Sequence, residues 1–257
     1  MDERPPLSFH SAFMPAPSVS PASAKSKLPD PRTPTRFYVV LAAAVLLALI
    51  PTVWPQWDLS FASLFFGDSL GAAVESWWWI ELINAYVPAA FRVMLLLAAA
   101  GWIAATLVRR WAAWRFPLAF IVIAGFFGPG LVVNAVFKDN WQRARPYQVE
   151  NFGGTQQFTR GAVITDQCDN NCSFVSGHVA CGFFFATLML VHRRRQSMWA
   201  AVGTAAGLVI GFARMSDVAH WFSDVLWAYP ITLATSWVVW RGLLYAYQWR
   251  ETRTSTA

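Results

Sequence analysis

The stretch VPAAFRVMLLLAAAGWIAATLVRR, residues 87–110, decides how this chain is read. From Val87 to Val108 only Arg92 is charged, over a length that matches the roughly 20 residues an α-helix needs to cross a bilayer's hydrocarbon. Arg109 and Arg110 then close the run, as cations do at a cytoplasmic membrane edge. Arg92, near the other end, could reach a lipid phosphate but reads more simply as a side chain snorkelling to the interface.

The same pattern recurs along the chain, with spans expected at residues 37–54, 87–108, 116–137, 174–192, 197–213 and 221–240. The expected fold is all-α: one six-helix membrane domain over 37–243, with no long alternation of the kind an outer-membrane barrel needs. Residues 1–36 hold eight prolines and many Ser and Ala, the composition of a disordered tail, and residues 244–257 read as a short second tail. Of the 257 residues, 56% are hydrophobic and 13% charged, and 15 are tryptophan, which excludes an ordinary soluble domain.

Arginines set the orientation. Arg109, Arg110 and Arg115 lie between spans two and three, Arg193, Arg194 and Arg195 between four and five, and Arg241 and Arg250 after six. These segments and both termini are expected in the cytoplasm. Residues 55–86 carry Asp58, Asp68, Glu75 and Glu81 with no Lys or Arg, and Trp77, Trp78 and Trp79 suit an outer interfacial belt. The net charge of +6 is spent at helix ends, so no nucleic-acid partner is expected.

Three polar patches fall on the outer face. In KDNWQRARP, residues 138–146, Lys138 closes span three and Arg145 and Pro146 follow; interfacial anchoring explains cations at helix ends, except that positive charge here opposes the orientation rule. Ser176, Gly177 and His178 open span four, where Ser173 or Ser176 could simply cap the helix, or free helix-end amides could cradle an anion beside a titratable ring. Arg214, His220 and Asp224 gather at the entrance to span six. A helical spacing of four would let the carboxylate hold one imidazole nitrogen while the other points away; a pair that merely satisfies itself is the plainer alternative. Topology brings all three patches to one face, and the set suits phosphate-ester cleavage: cations for the nonbridging oxygens, an attacking group and an acid.

Cysteines bear on compartment. Cys168 and Cys172 flank Asp169-Asn170-Asn171 in the long outer loop, where an oxidising space permits a disulfide but so tight a ring strains it. One cysteine pair without nearby histidines is too few ligands for zinc, and Cys181 reads as a small packing residue.

These residues resemble the motifs of the type 2 phosphatidic acid phosphatases. Lys138 to Pro146 is similar to the family's K-x6-RP block, Ser176-Gly177-His178 to most of its PSGH block, and Arg214, His220 and Asp224 to its SR-x5-H-x3-D block, over about residues 37–243. Val175 stands where the family has proline and Ala213 where it has serine, and neither change removes a group that attacks or carries a proton. Phe152-Gly153-Gly154 followed by the segment to His178 looks closest to bacterial lipid A phosphatases.

The resemblance implies a lipid phosphatase of a bacterial inner membrane with its site toward the periplasm. His220, oriented by Asp224, would attack phosphorus and carry it as phosphohistidine, and His178 would protonate the leaving lipid oxygen. Lys138, Arg145, Arg214 and the Ser176 and Gly177 amides would bind phosphate, with no metal or other cofactor required. Lipid A, undecaprenyl diphosphate and phosphatidylglycerol phosphate all remain open as substrates, as do phosphotransfer to a second lipid and a non-catalytic lipid-binding role.

Overall fold

A computed structural model of the chain describes residues 30–66 and 77–255. Among them the regular structure is helical, and pairing of extended chain is confined to one isolated bridge, Val149 to Gln156. We number the α-helices α1 (Thr35–Val53), α2 (Gln56–Ser63), α3 (Trp78–Leu107), α4 (Arg115–Gly125), α5 (Lys138–Trp141), α6 (Gly177–Thr187), α7 (Gln196–Ser216) and α8 (Phe222–Ser255). Residues 1–29 of the expected tail, and Asp68 and Glu75 of the acidic outer segment, lie outside the described residues.

Among the described residues four segments are long and apolar enough to cross a membrane: Thr35–Val53, Trp78–Leu107, Arg109–Gln148 and Arg193–Ser216. The other two expected spans differ for visible reasons. Gly177–Leu190 is apolar but shorter, with α6 running to Thr187 and a closing 3-10 turn over Leu188–Leu190. Helix α8 is 34 residues long, but Ser, Thr, Tyr and Pro interrupt its apolar run, and it continues through the expected tail to Ser255. Leu46, Leu96, Leu97 and Leu107 are each more than half exposed, so large apolar side chains face outward as they do against lipid.

The third span contains Gly128-Pro129-Gly130, a run that would most simply kink a membrane helix. It widens into a π-helix from Phe126 to Phe137. Pro129 has no amide to donate, and the Asn134 side chain takes up a backbone acceptor there, its Nδ2 donating to Pro129 O at 2.7 Å.

Helices α6 and α7 form the tightest pair. A Cβ on Gly203 would lie 2.0 Å from the Ala186 amide nitrogen, so the backbones approach as only small residues permit, and one on Gly207 would lie 2.2 Å from Phe183 Cδ1. Phe183 in turn stacks on Tyr229 of α8 at 4.2 Å. Helix α8 ties to α1 through Trp227 Nε1, which donates to Thr52 Oγ1 at 2.8 Å. A second apolar cluster, Ala62, Ala144, Val149 and Trp221 with Phe66, Phe152 and Phe158 against it, roofs one end of the bundle. Beneath that roof lie the marked residues.

Candidate active site

His220 does not sit on a helix. It lies in the turn between α7 and α8, two residues before Phe222, so the helical spacing expected for His220 and Asp224 does not govern their contact. Its Nδ1 is 2.8 Å from the carbonyl oxygen of Ser173, while Asp224 Oδ2 stands 3.6 Å away. A carbonyl accepts only from N–H, so Nδ1 carries the proton and Nε2 keeps its lone pair. The ring is 2% exposed, and burial pushes its pKa down to about 3 against the pull of Asp224; Arg145 and Arg214 lower it further. His220 is therefore neutral at pH 7, with its Nε2 lone pair available for bonding.

Asp224 is held from several sides. Ser173 Oγ donates to its Oδ2, the Trp221 amide to the same oxygen at 3.0 Å, and Arg143 Nη1 to Oδ1 at 2.6 Å. Arg143 also reaches Asp58 Oδ2 with Nη2 at 2.7 Å and Thr159 O with Nε at 2.9 Å. Its guanidinium lies over Trp221 at 5.2 Å, and Ser223 bonds Asp58 through both amide and hydroxyl. Arg143, Asp58 and Asp224 are all fully buried, a charge cluster permitted only because each member is paired. In the sequence Asp58 stands out only as an acidic loop residue and Ser173 only as a possible cap, and Arg143 is not singled out; its one signal is its place in the cationic stretch 138–146.

Three other cations converge nearby. Lys138, Arg145 and Arg214 act electrostatically on one another and on His178. Lys138 Nζ donates to Asn171 Oδ1 at 3.1 Å, and Arg145 donates from Nε and Nη2 to Asn171 O at 3.1 and 2.8 Å. Arg214, in the last turn of α7, pairs with half-exposed Asp217 at 2.9 Å, while its Nε is buried with no partner.

The capping alternative for the Ser-Gly-His triplet does not hold. Ser176 is the residue before α6, yet its side chain makes no cap; its hydroxyl is buried without a partner and its amide is directed 3.5 Å to Asp224 O. Ser176 thus offers a hydroxyl where an amide was expected. Gly177 is required by close approach, since a Cβ there would lie 2.7 Å from Asn134 Oδ1. His178 Nε2 contacts Asn84 O at 3.2 Å, so each histidine has one nitrogen held by a backbone carbonyl. Arg92 is exposed and lines a groove of about 520 Å³ with Asn134 and Cys181. Cys168 and Cys172 are joined as a disulfide, and among the described residues no three His, Cys, Asp or Glu side chains are grouped to hold a metal ion.

A bundle with membrane-crossing helices that gathers a buried neutral histidine, three cations and the unpartnered Ser176 Oγ and Arg214 Nε at one end is an integral-membrane protein with a strongly cationic site. The particular family follows from comparison. Residues 114–248 match the PAP2 superfamily, so the chain belongs to that superfamily. It is 33% identical over 218 residues to a lipid A 4'-phosphatase of Francisella tularensis subsp. novicida (strain U112), covering 82% of this chain and 97% of that protein. A lipid A 4'-phosphatase of Rhizobium leguminosarum is 39% identical over 100 residues, covering 38% of this chain and 43% of that protein. No solved structure matches significantly.

Proposed function

We propose that the chain removes a phosphate monoester from lipid A, or a lipid of the same headgroup chemistry, at the periplasmic face of a bacterial inner membrane. The substrate class is supported by the named relative that this chain covers almost end to end. The orientation rests on arginine asymmetry, and six crossings follow if α6 and α8 span together with the four longer segments, returning both termini to the cytoplasm.

One observation carries the chemistry: the bond from His220 Nδ1 to Ser173 O, which leaves Nε2 as the free nucleophile inside a cluster of cations. Nε2 attacks phosphorus as the bond to the lipid oxygen breaks, and that oxygen takes a proton from His178. The incoming phosphate dianion favours the protonated ring at His178. Lys138, Arg145 and Arg214, with Ser176 Oγ and the Gly177 amide, take the equatorial oxygens. Water, losing a proton to His178, then attacks the phosphohistidine and releases phosphate, restoring both rings.

The test is release of free phosphate from lipid A, undecaprenyl diphosphate and phosphatidylglycerol phosphate by the purified chain in detergent with EDTA. Lipid A is expected to turn over, and His220→Ala to lose about 10³-fold or more together with any alkali-stable protein phosphate. Near-parental turnover by His220→Ala, or phosphate recovered on His178, would refute the assignment.

A further inference from the structure

We infer that Asn171, held in the disulfide-closed turn Cys168–Cys172, is a positioning residue that sets the phosphate-binding cations against the nucleophile. The inference rests on the phosphatase reading above. Asn171 bonds both Lys138 and Arg145, one through its side-chain amide oxygen and the other through its carbonyl. Its φ of +48° is in the left-handed region, which asparagine tolerates better than most residues. Two residues on, Ser173 receives the Nδ1 proton of His220, bonds Asp224 with its hydroxyl, and donates its amide to Arg143 O at 2.8 Å.

Residues 171–173 therefore touch the cations, the attacking ring and its carboxylate within three positions of chain. The bridge from Cys168 to Cys172, with Cα atoms 5.7 Å apart, closes a ring around Asn171 and ends one residue before Ser173. Lys138 and Arg145 have long, rotamer-rich side chains, and a phosphate that met them unheld would have to order them on binding. Asn171 orders them beforehand. It does so with neutral oxygens, which a phosphate dianion outcompetes for charge while the remaining N–H groups stay available.

Asparagine rather than aspartate is thus the required residue. A carboxylate at 171 would keep the acceptor but pair with both cations and repel the substrate phosphate. Glycine at 171 would keep the left-handed turn and the carbonyl, and lose only the contact to Lys138.

The experiment measures orthovanadate affinity, as a probe of the phosphate site that needs no lipid, alongside kcat, KM and thermal stability in the full chain. Asn171→Gly should weaken orthovanadate binding and raise KM by about three- to tenfold, with kcat within about twofold, the size expected for ordering one long side chain on binding. Asn171→Asp should do so by about tenfold or more, with thermal stability at least parental because new ion pairs form. Cys168→Ser with Cys172→Ser should match Asn171→Gly in orthovanadate affinity and also lower kcat, since the turn holding His220 through Ser173 is freed. If both Asn171 variants keep orthovanadate affinity and KM within twofold of the parent, Asn171 positions nothing. A parent that binds orthovanadate but releases phosphate from no lipid would sink the phosphatase reading alone.

Discussion

The two ends of the bundle use arginine in opposite ways. At the site end Arg143, Arg145 and Arg214 are no more than 8% exposed; Arg143 and Arg145 donate to carboxylates, a hydroxyl and carbonyls, and Arg214 pairs with Asp217 while its Nε stays without a partner. At the other end Arg109, Arg110, Arg194 and Arg195 are exposed, and Arg193 and Arg241 donate to the carbonyls of Asp30, Arg32 and Pro31. Those last bonds hold residues 30–32, the end of the stretch read as a disordered tail. The lesson is that position in the membrane gives the same side chain two roles. Exposed cations at one edge of the bundle cost little, whereas cations buried at the other end cost desolvation and are stable only where something pairs with them.

The largest effect expected from this contrast is at Arg143. Replacing it with Met keeps apolar bulk but leaves Asp58 and Asp224 buried without their cation, at a cost of about 3–5 kcal/mol. Thermal unfolding in detergent should show that loss, and turnover should fall with it because Asp224 no longer holds its place beside His220. Asp58→Asn is the sharper comparison: Arg143 keeps Asp224 as its single carboxylate, so the destabilisation should be well below that of Arg143→Met. Equal losses from the two variants would mean that the cluster acts through packing rather than charge.

A smaller effect is expected from pH. Burial holds His220 at about 3 against an ordinary value of 6.5, so the unfolded chain takes a proton here below pH 6.5 that the folded chain refuses. Stability from this group is fully present above pH 6.5 and is lost as pH falls toward 3, by about 1.4 kcal/mol for each unit in the middle of that window. The charged groups acting on the ring are Asp224, Arg145 and Arg214, of which only the carboxylate favours its protonation. Melting temperatures of the parent between pH 5 and 7 should therefore fall more steeply with acid than those of His220→Gln, and parallel slopes would show that the ring is not held neutral.

How much of this was legible in the sequence depended on whether a contact is local. Lys138, His178, His220 and Asp224 could be singled out because such residues at membrane depth demand a reason. Arg143 was hidden inside KDNWQRARP as one cation among three, and Asp58 served only as an acidic mark of the outer loop; the bonds from Ser223 to Asp58 close across 165 residues, which no local pattern displays. The carbonyl of Ser173 was invisible for another reason, since every residue has one and only the fold chooses which faces His220. The expected His220 to Asp224 contact is present at 3.6 Å, but it is made from the turn before Phe222 and not across one helical face. Likewise Gly128-Pro129-Gly130 announced a break in the third span but not its resolution as a π-helix, which depends on Asn134 returning to Pro129.

The smallest effect belongs to the exposed end, and it tests the contrast from the other side. Arg109 and Arg110 follow α3, are exposed, and Arg110 adds a guanidinium 5.4 Å over the neighbouring Trp111 ring. An exposed contact of that kind is worth about 0.5–1 kcal/mol at most, and exposed substitutions elsewhere stay within about 0.5 kcal/mol. Changing both to Gln should therefore leave thermal stability within about 1 kcal/mol of the parent. Turnover of the purified chain should also be unchanged, because neither residue belongs to the cation cluster around His178 and His220. Arg115, Arg194 and Arg195 remain on the same edge, so an impermeant thiol reagent should still label a cysteine placed at Gln156 from outside the cell. Labelling from the cytoplasmic side in the parent would invert the topology, and a large loss of turnover on changing Arg109 and Arg110 would show that the two ends are coupled and that burial alone does not divide the arginines into orienting and functional sets.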